Sequence, residues 1–291
     1  DNALATGLGG MRALFDTNLM GQWGMFSYMP NATAGTIFGF NGITSEYRKS
    51  LPDDLDANFA TRYKNTTANG INYSLNYAYR YDSNPVVSVH WEDNAGNKVN
   101  PTITPGPINA DRYTVSGGTK IVFEETLERI HTLGGAFDMA IDSDSLGPVV
   151  LRGEWTYDKD VKTPTIDRSR LSYGDFVGAM NNKENDFFKY VIGADITVAT
   201  DMMVSGQFIQ FRNLDYINSR TNSVTGAACA AGDANCGEYT ADASAMHLTN
   251  SLKAAEENKE FYSLFFSKPF GDSGEGRWNN IFIYEEGGGK W

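Results

Sequence analysis

Residues 71–81 read INYSLNYAYRY, a segment in which apolar or aromatic side chains alternate with polar or small ones along the whole length. Because successive side chains of a β-strand point to opposite faces of the sheet, this alternation predicts a strand with one apolar and one polar face. Strands of soluble proteins usually run about 5 or 6 residues, whereas a tilted strand needs about 9 to 11 residues to cross a membrane. The length of this segment therefore favours a membrane-spanning strand.

The same alternation recurs along the chain and predicts one β-barrel domain over residues 1–291. The predicted strands are residues 11–28, 57–66, 71–81, 127–141, 148–157, 186–198, 202–212, 260–270 and 277–285. The long connections are residues 30–56, 82–126, 158–185 and 213–259, and they alternate with short turns. Within them, residues 86–91 resemble a strand and residues 252–259 a short helix. Outer-membrane barrels divide their connections in this way, into short periplasmic turns and long external loops.

Composition excludes several other classes of protein. No stretch approaches the roughly 18 uncharged apolar residues of a membrane-spanning helix, and the mean hydropathy is -0.39, so a helical membrane protein is excluded. Barrel strands pass this test because their two faces average out as hydrophilic. The formal net charge of -12 argues against nucleic acid as a partner, since phosphate binding needs clustered lysines and arginines.

These patterns predict an all-β fold, a transmembrane antiparallel β-barrel of the outer-membrane type. The alternative is ordinary aromatic packing in the core of a soluble β-protein. Nine strands cannot satisfy the even strand number of bacterial single-chain barrels, so we expect an incomplete barrel that needs at least one further strand. The alternative here is a strand missed in the first fifty or the last forty residues.

The phase of the alternation assigns side chains to the two faces of the predicted barrel. The side chains expected to face lipid include Tyr73, Leu75, Tyr77, Val149, Leu151, Phe188 and Ile192. The candidates for the lumen are Arg12, Asp16, Arg62, Lys64, Asn76, Arg80, Asp138, Arg152, Glu154, Lys189 and Asp195. Cations and anions are nearly balanced in this set, so a strongly ion-selective pore is not expected. Each candidate belongs either to a structural ladder of salt bridges or to a solute contact.

The chemistry-bearing residues predict no enzyme. His90, His131 and His247 are isolated, and neither a nucleophile motif nor metal-ligand spacing occurs, so no catalytic residue, metal or cofactor is expected. The acidic runs could hold Ca²⁺, but they lack the spacing of a recognised calcium loop, and solvated loop charge is the simpler interpretation. Cys229 and Cys236 are either two free thiols or a loop-closing disulfide of an oxidising compartment, and their close spacing favours the disulfide.

Three segments together resemble a known family. They read LPDDLDANFATRYKNTTANGINYSLNYAYRYDSNP, RIHTLGGAFDMAIDSDSLGPVVLRGEWTYDKD and KYVIGADITVATDMMVSGQF. In this order they resemble the proteobacterial family called domain of unknown function 1302 (DUF1302), over about residues 11–211. The resemblance implies an outer-membrane β-barrel, often associated with machinery that transports lipids or hydrophobic compounds. It carries over no catalytic residue, and members of that family usually look much longer than this chain.

The expected function is that of a channel or transport component in the outer membrane of a Gram-negative bacterium. A hydrophobic or amphiphilic solute is implied by the resemblance alone. The alternative is a non-conducting barrel that encloses or displays a partner, such as an electron-transfer protein. Lipid is the expected partner in both cases, together with a periplasmic or surface protein in the second.

Overall fold

The computed structural model describes residues 44–52, 56–100, 102–104, 114–116, 120–167, 170, 176–222, 224–229, 236–242, 254–271 and 274–286. Most of these residues are β-strand with almost no helix, and the longest strands form one antiparallel sheet. The elements are β1 (Thr44–Ser50), β2 (Phe59–Thr66), β3 (Asn72–Tyr81), β4 (Val86–Glu92), β5 (Lys98–Val99), β6 (Thr102–Thr104), β7 (Thr114–Ser116), β8 (Lys120–Thr126), β9 (Arg129–Ser143), β10 (Gly147–Asp167), α1 (Phe176–Ala179), β11 (Met180–Val198), β12 (Met202–Asn213), β13 (Glu238–Thr240), β14 (Asn258–Phe270) and β15 (Gly276–Glu285).

The main sheet has the strand order β15-β14-β12-β11-β10-β9-β3-β2, and every neighbouring pair in it is antiparallel. The short strand β13 joins the far end of β10. All eight strands of this order correspond to predicted ones, while the predicted strand at residues 11–28 lies outside the described residues. Within the described chain β2 and β15 are the two edges and do not pair with each other, so the sheet is not closed into a barrel.

Tight turns join the strands at one end of the sheet, which is called the turn end below. Gly147 has a φ of 72° just after the turn between β9 and β10, a conformation that glycine adopts without strain. The turn between β11 and β12 instead places Ala199 and Thr200 at φ values of 46° and 75°. Positive φ at two consecutive positions matches the twist of a hairpin, which explains the tight reversal.

A second sheet has four strands in the order β1-β8-β4-β5. Strands β4, β5 and β8 lie between β3 and β9 in the sequence, whereas β1 precedes β2. Strands β1 and β8 are parallel, and the other pairs are antiparallel. Its buried apolar side chains are Val87, Val89, Trp91, Ile121, Val122 and Phe123. The sheet contacts the far end of β11, where Asn182 donates a hydrogen bond to the carbonyl oxygen of Val87 at 3.0 Å.

The structure corrects the predicted long loops. The loop at residues 82–126 contains β4 to β8, and the loops at 30–56 and 213–259 contain β1 and β13. The strand predicted at residues 86–91 is present as β4. The helix expected at residues 252–259 is wrong in its described part, where Ala254 forms a β-bridge and β14 begins at Asn258, because strand pairing overrides weak local propensity.

The loop predicted at residues 158–185 is mostly strand. Strand β10 continues to Asp167 and β11 begins at Met180. The register shifts between Asp158 and Val161, and Asp160 there has a φ of 66°. Such a bulge inserts an extra residue and inverts the phase of the alternation, so a strand that continues past it no longer matches a simple two-residue period.

Candidate functional site

The pairing register sorts the side chains of the main sheet onto two faces. Directly opposite residues in an antiparallel pair point to the same side, so a row such as Asn76, Gly134, Thr156 and Lys189 lies on one face. The "polar face" is the one that carries the described lumen candidates Arg62, Lys64, Asn76, Arg80, Asp138, Arg152, Glu154, Lys189 and Asp195. The "apolar face" carries Tyr73, Leu75, Tyr77, Val149, Leu151, Phe188 and Ile192. Arg12 and Asp16 lie outside the described residues.

The apolar face is exposed over much of its area. Leu75 is 50% exposed, Ile192 55% and Phe282 59%. The other large exposed side chains on this face are Phe59, Tyr63, Leu133, Phe137, Ile141, Tyr262, Leu264, Phe270, Trp278 and Tyr284. Contiguous apolar surface of this extent is rare on soluble monomers and marks contact with a membrane or another protein.

Aromatic rings form a band across the apolar face. Ring contacts link Trp155, Phe188, Tyr190, Phe208, Tyr262 and Tyr284 from β10 to β15, with centroids 5.2 to 6.3 Å apart. Towards the turn end of β9 to β12 the side chains are aliphatic, as at Met139, Val149, Leu151, Ile196 and Val204, whereas β14 and β15 keep aromatic ones at Phe266, Phe270 and Trp278. Charged groups bound the face at its opposite end, where they are Lys159, Asp186, Arg212 and Glu260. The face is therefore an apolar zone with an ionic border.

Two glycines on this face accommodate large rings from the neighbouring strand. Gly135 of β9 lies opposite Trp155 of β10, and Gly153 of β10 lies opposite Phe137 of β9. A Cβ atom at Gly135 would stand 2.6 Å from the indole nitrogen of Trp155. The glycines thus let each aromatic side chain lie flat across the strand beside it.

On the polar face, Arg152 connects three strands. Its guanidinium donates to the Asp195 carboxylate at 2.7 Å and to the Ser205 hydroxyl at 3.2 Å. Further along the face, the Asn72 amide donates to the Asp138 carboxylate at 2.8 Å, and the Arg62 guanidinium donates to the Ser74 hydroxyl at 3.2 Å. These contacts form the ladder that is one of the two interpretations of the charged set.

Asp158 is the most enclosed charge of the polar face, with an exposed fraction of 2%. Its carboxylate accepts hydrogen bonds from the Lys189 ammonium at 2.7 Å and the Thr132 hydroxyl at 2.6 Å, and the Arg80 guanidinium lies 3.7 Å away. The two cations offset the cost of burying this carboxylate. Removing the carboxylate would leave Arg80 and Lys189 without their ion-pair partner. The sequence offered no sign of this role, because Asp158 stands where β10 was predicted to end.

The polar face is not polar throughout. On β12, β14 and β15 it carries the "apolar strip", defined here as Ile209, Phe211, Phe261, Phe265, Ile281 and Ile283. Phe211 is 40% exposed, and its ring lies 5.7 Å from that of Phe261. On β14 and β15 both faces therefore carry apolar side chains, so alternation alone does not distinguish the two faces there.

A cavity of about 380 Å³, the "end pocket", lies where the polar face meets the second sheet. Asp158, Lys189 and Phe187 contribute from the main sheet, and Val86 and Val87 contribute from β4. Further lining residues are Ile130, Val161, Phe211, Thr240, Ala241, Ala255, Glu256, Glu257 and Lys259. Its volume falls within the roughly 300 to 1,000 Å³ of small-molecule sites.

A second group of charges lies on the second sheet, in the segments that sequence analysis assigned to long loops. The Glu92 carboxylate is buried and binds Arg48 at 2.8 Å and Lys120 at 3.0 Å. The hydrogen bond from Arg48 is the main cause that lowers the pKa of Glu92 to about 2. His90 lies 3.3 Å from the same carboxylate. All these groups have partners, so the cluster is a structural ion-pair network of this sheet.

The remaining predicted features concern the cysteines and metals. Cys229 and Cys236 form a disulfide, with Cα atoms 5.7 Å apart. Among the described residues, no group of three or more histidines, cysteines and carboxylates could hold a metal ion. No helix in the described part of the chain is long and apolar enough to cross a membrane.

Comparisons with protein-family models, curated proteins and solved structures find no significant match to this chain. The molecule is accordingly defined by its own geometry, an all-β chain dominated by a large antiparallel sheet with one apolar and one largely polar face. The resemblance to domain of unknown function 1302 stays a prediction.

Proposed function

We propose that the main sheet is part of the wall of a bacterial outer-membrane β-barrel that acts as a channel or transport component. The observation that supports this most is the pairing of an exposed apolar face with an ion-paired polar face on the same long strands. In water the apolar face would be an aggregation hazard, whereas against lipid it is the required surface.

The height of the apolar zone supports a membrane as its neighbour. On β10 the apolar face runs from Val149 to Tyr157 before Lys159 follows. At about 3.3 Å per residue this run is about 26 Å long, or about 20 Å if the strand tilts by about 40°. The apolar band of outer-membrane barrels is about 25 Å tall.

In this proposal the polar face borders an aqueous interior. Arg152 pairs with Asp195 and Lys189 pairs with Asp158 along it. The candidates without an ion pair among the described residues are two cations and two anions, Arg62, Lys64, Asp138 and Glu154, so the charges nearly balance. A passage of this kind discriminates weakly between anions and cations. No enzymatic step is assigned to it.

The proposal also requires closure of the sheet. In hydrocarbon every backbone N–H and C=O group needs a partner inside the protein, so the edges at β2 and β15 cannot face lipid. We therefore propose that further strands, from this chain or another, lie between these two edges.

Planar-bilayer recording on the purified protein tests the channel. We expect stepwise conductance with little selectivity between K⁺ and Cl⁻, and flotation of the protein with lipid vesicles in a density gradient. Protein that stays out of the lipid fraction would contradict the membrane location. Protein that floats without conducting would contradict the channel alone.

A non-conducting scaffold is the second candidate, and one observation favours it. Val86 and Val87 of the second sheet line the same cavity as Asp158 and Lys189, so the second sheet borders the polar face at one end. A barrel obstructed there would hold or display a protein partner instead of passing solute. Floating, silent protein is the result expected for this alternative.

A further inference from the structure

The apolar strip begins at the end pocket and continues along the polar face. Phe211 belongs to both, and its ring contacts Phe261 on the next strand at 5.7 Å. Beyond Phe261, the side chains of Phe265, Ile281 and Ile283 continue the strip toward the turn end. Ile281 and Ile283 are more than half exposed. A surface that only had to pass ions and water would gain nothing from this apolar track.

We propose that the end pocket binds a single-chain amphiphile with an anionic head, and that the apolar strip receives its hydrocarbon chain. This inference rests on the proposed function, because it assigns a class of solute to the proposed passage. Phe187, Phe211, Val86, Val87 and Ile130 provide apolar wall on several sides of the pocket. Small-molecule sites are typically built in this way, with mainly apolar walls and a few polar groups that fix orientation.

Lys259 selects the anionic head. Lys259 lies directly opposite Phe211 in the register and on the same face of β14 as Phe261. It therefore stands at the pocket end of the strip. Among the described residues Lys259 has no carboxylate within ion-pair distance, whereas Lys189 is bound to Asp158. A lysine opposite Phe211 and two residues before Phe261 offers a carboxylate a charge next to the apolar surface that would receive the chain.

The acidic groups of the pocket do not compete equally for the head. Asp158 is bound by Lys189, and Glu257 lies 3.7 Å from Arg212. Asp82 is buried and accepts a hydrogen bond from the backbone N–H of Asn84. Glu256 is exposed and precedes the first residue of β14, so it lies outside the strip. On the strip itself, Glu285 lies opposite Phe261 on β15 and does not line the pocket, whereas Lys259 lies opposite Phe211 and does. The charge at the pocket end of the strip is therefore the positive one.

Displacement of a fluorescent fatty acid measures this specificity. The full chain in lipid nanodiscs is loaded with cis-parinaric acid, and protein-free nanodiscs of the same lipid correct for partitioning. Oleate, oleyl alcohol and oleylamine then compete as unlabelled ligands of equal chain length. We expect oleate to displace the probe best. Equal or better displacement by oleylamine would overturn the anionic head.

Three variants locate the binding site. Lys259→Met should weaken oleate about 5- to 10-fold and leave oleyl alcohol unchanged, since it removes one charge-assisted contact. Phe211→Ser should weaken all three ligands about 10-fold, since it removes apolar contact at a position that is 40% exposed. Lys64→Met, on the same face but far across the sheet, is the matched control and should change nothing.

The outcomes separate this inference from the proposed function. Protein that inserts into nanodiscs but binds no fatty acid, or binds it equally well with Phe211→Ser, overturns the pocket and leaves the barrel intact. Protein that binds oleate at Lys259 in lipid-free buffer but never inserts overturns the membrane location and leaves the pocket intact.

Discussion

Replacing Ile192 with arginine tests whether the apolar face contacts lipid. Ile192 lies opposite Gly153, the midpoint of the apolar run of β10, and its side chain is 55% exposed. Because so much of the side chain is free of protein contacts, the substitution loses little packing. In water it should change the free energy of unfolding by no more than about 0.5 kcal/mol. At the middle of a bilayer an arginine on the lipid face costs about 2 to 4 kcal/mol.

Two further arginine variants test how the cost of an arginine depends on depth in the bilayer and on the face of the sheet. Leu151 lies on the same face nearer the turn end, so Leu151→Arg should cost less than Ile192→Arg, about 1 to 3 kcal/mol. Val150 is the matched control, because it immediately precedes Leu151, is 37% exposed, and lies on the polar face opposite Asp195. Val150→Arg places the guanidinium across from a carboxylate, so it should cost about 0 to 1 kcal/mol.

Reversible urea unfolding in lipid vesicles measures these differences, with tryptophan fluorescence as the signal. The three variants and the parent protein are compared in the same lipid, so that the slopes with urea can be checked for equality. A bilayer predicts that the cost of arginine on the apolar face falls with distance from the bilayer midplane. A protein partner that covered this face would not impose that order of costs.

Equal costs for Ile192→Arg and Val150→Arg would refute the reasoning. So would a cost at Leu151 well above that at Ile192, because the position nearer the turn end would then be the more deeply buried one. Either result would favour the alternative of a soluble β-protein, in which the apolar face packs against protein.

Three further predictions test individual contacts. Gly135→Ala should lower the free energy of unfolding by about 1 to 3 kcal/mol and shift the tryptophan emission, since the new Cβ meets the Trp155 ring, whereas Gly206→Ala, with open space around it, should do neither. Asp158→Asn should cost about 1 to 3 kcal/mol in the same urea assay, since two cations lose their carboxylate, and an unchanged midpoint would contradict its role. The pKa of Glu92 is lowered from 4.5 to about 2, so the stabilisation by its carboxylate is present above pH 4.5 and is lost as the pH falls toward about 2. In Glu92→Gln the free energy of unfolding should therefore depend less on pH over that window. The same pH dependence in the variant and the parent protein would count against this role.

The faces of the main sheet could be predicted because they depend only on parity. Once the alternation at residues 71–81 and 148–157 is recognised, the side on which Arg80 or Leu151 lies follows from its position in the strand. The register then adds the partners. That Arg152 binds Asp195 and Ser205 depends on which residues lie opposite each other on three strands, and alternation alone does not specify it.

The second sheet could not be predicted in the same way. Its strand β8 reads KIVFEET, with Ile121, Val122 and Phe123 in direct succession and all buried. A short strand covered on both faces does not alternate, so it is hard to distinguish from an apolar loop segment. The Glu92 network shares this limit, since it joins residues from β1, β4 and β8 that are far apart in sequence.

The bulge at Asp158 marks a physical change along β10 that also explains where the sequence pattern ends. Before it, side chains alternate between an exposed apolar face and the polar face. After it, Thr163 to Ile166 are all buried, and this part of the strand pairs with the first residues of β11 and with β13. Strands in a bilayer must alternate, since one side meets lipid and the other water, whereas strands covered by protein on both sides need not. In the proposed barrel the bulge therefore lies at the membrane boundary, and the end pocket lies beside it, where a solute leaving the water would first meet the apolar strip.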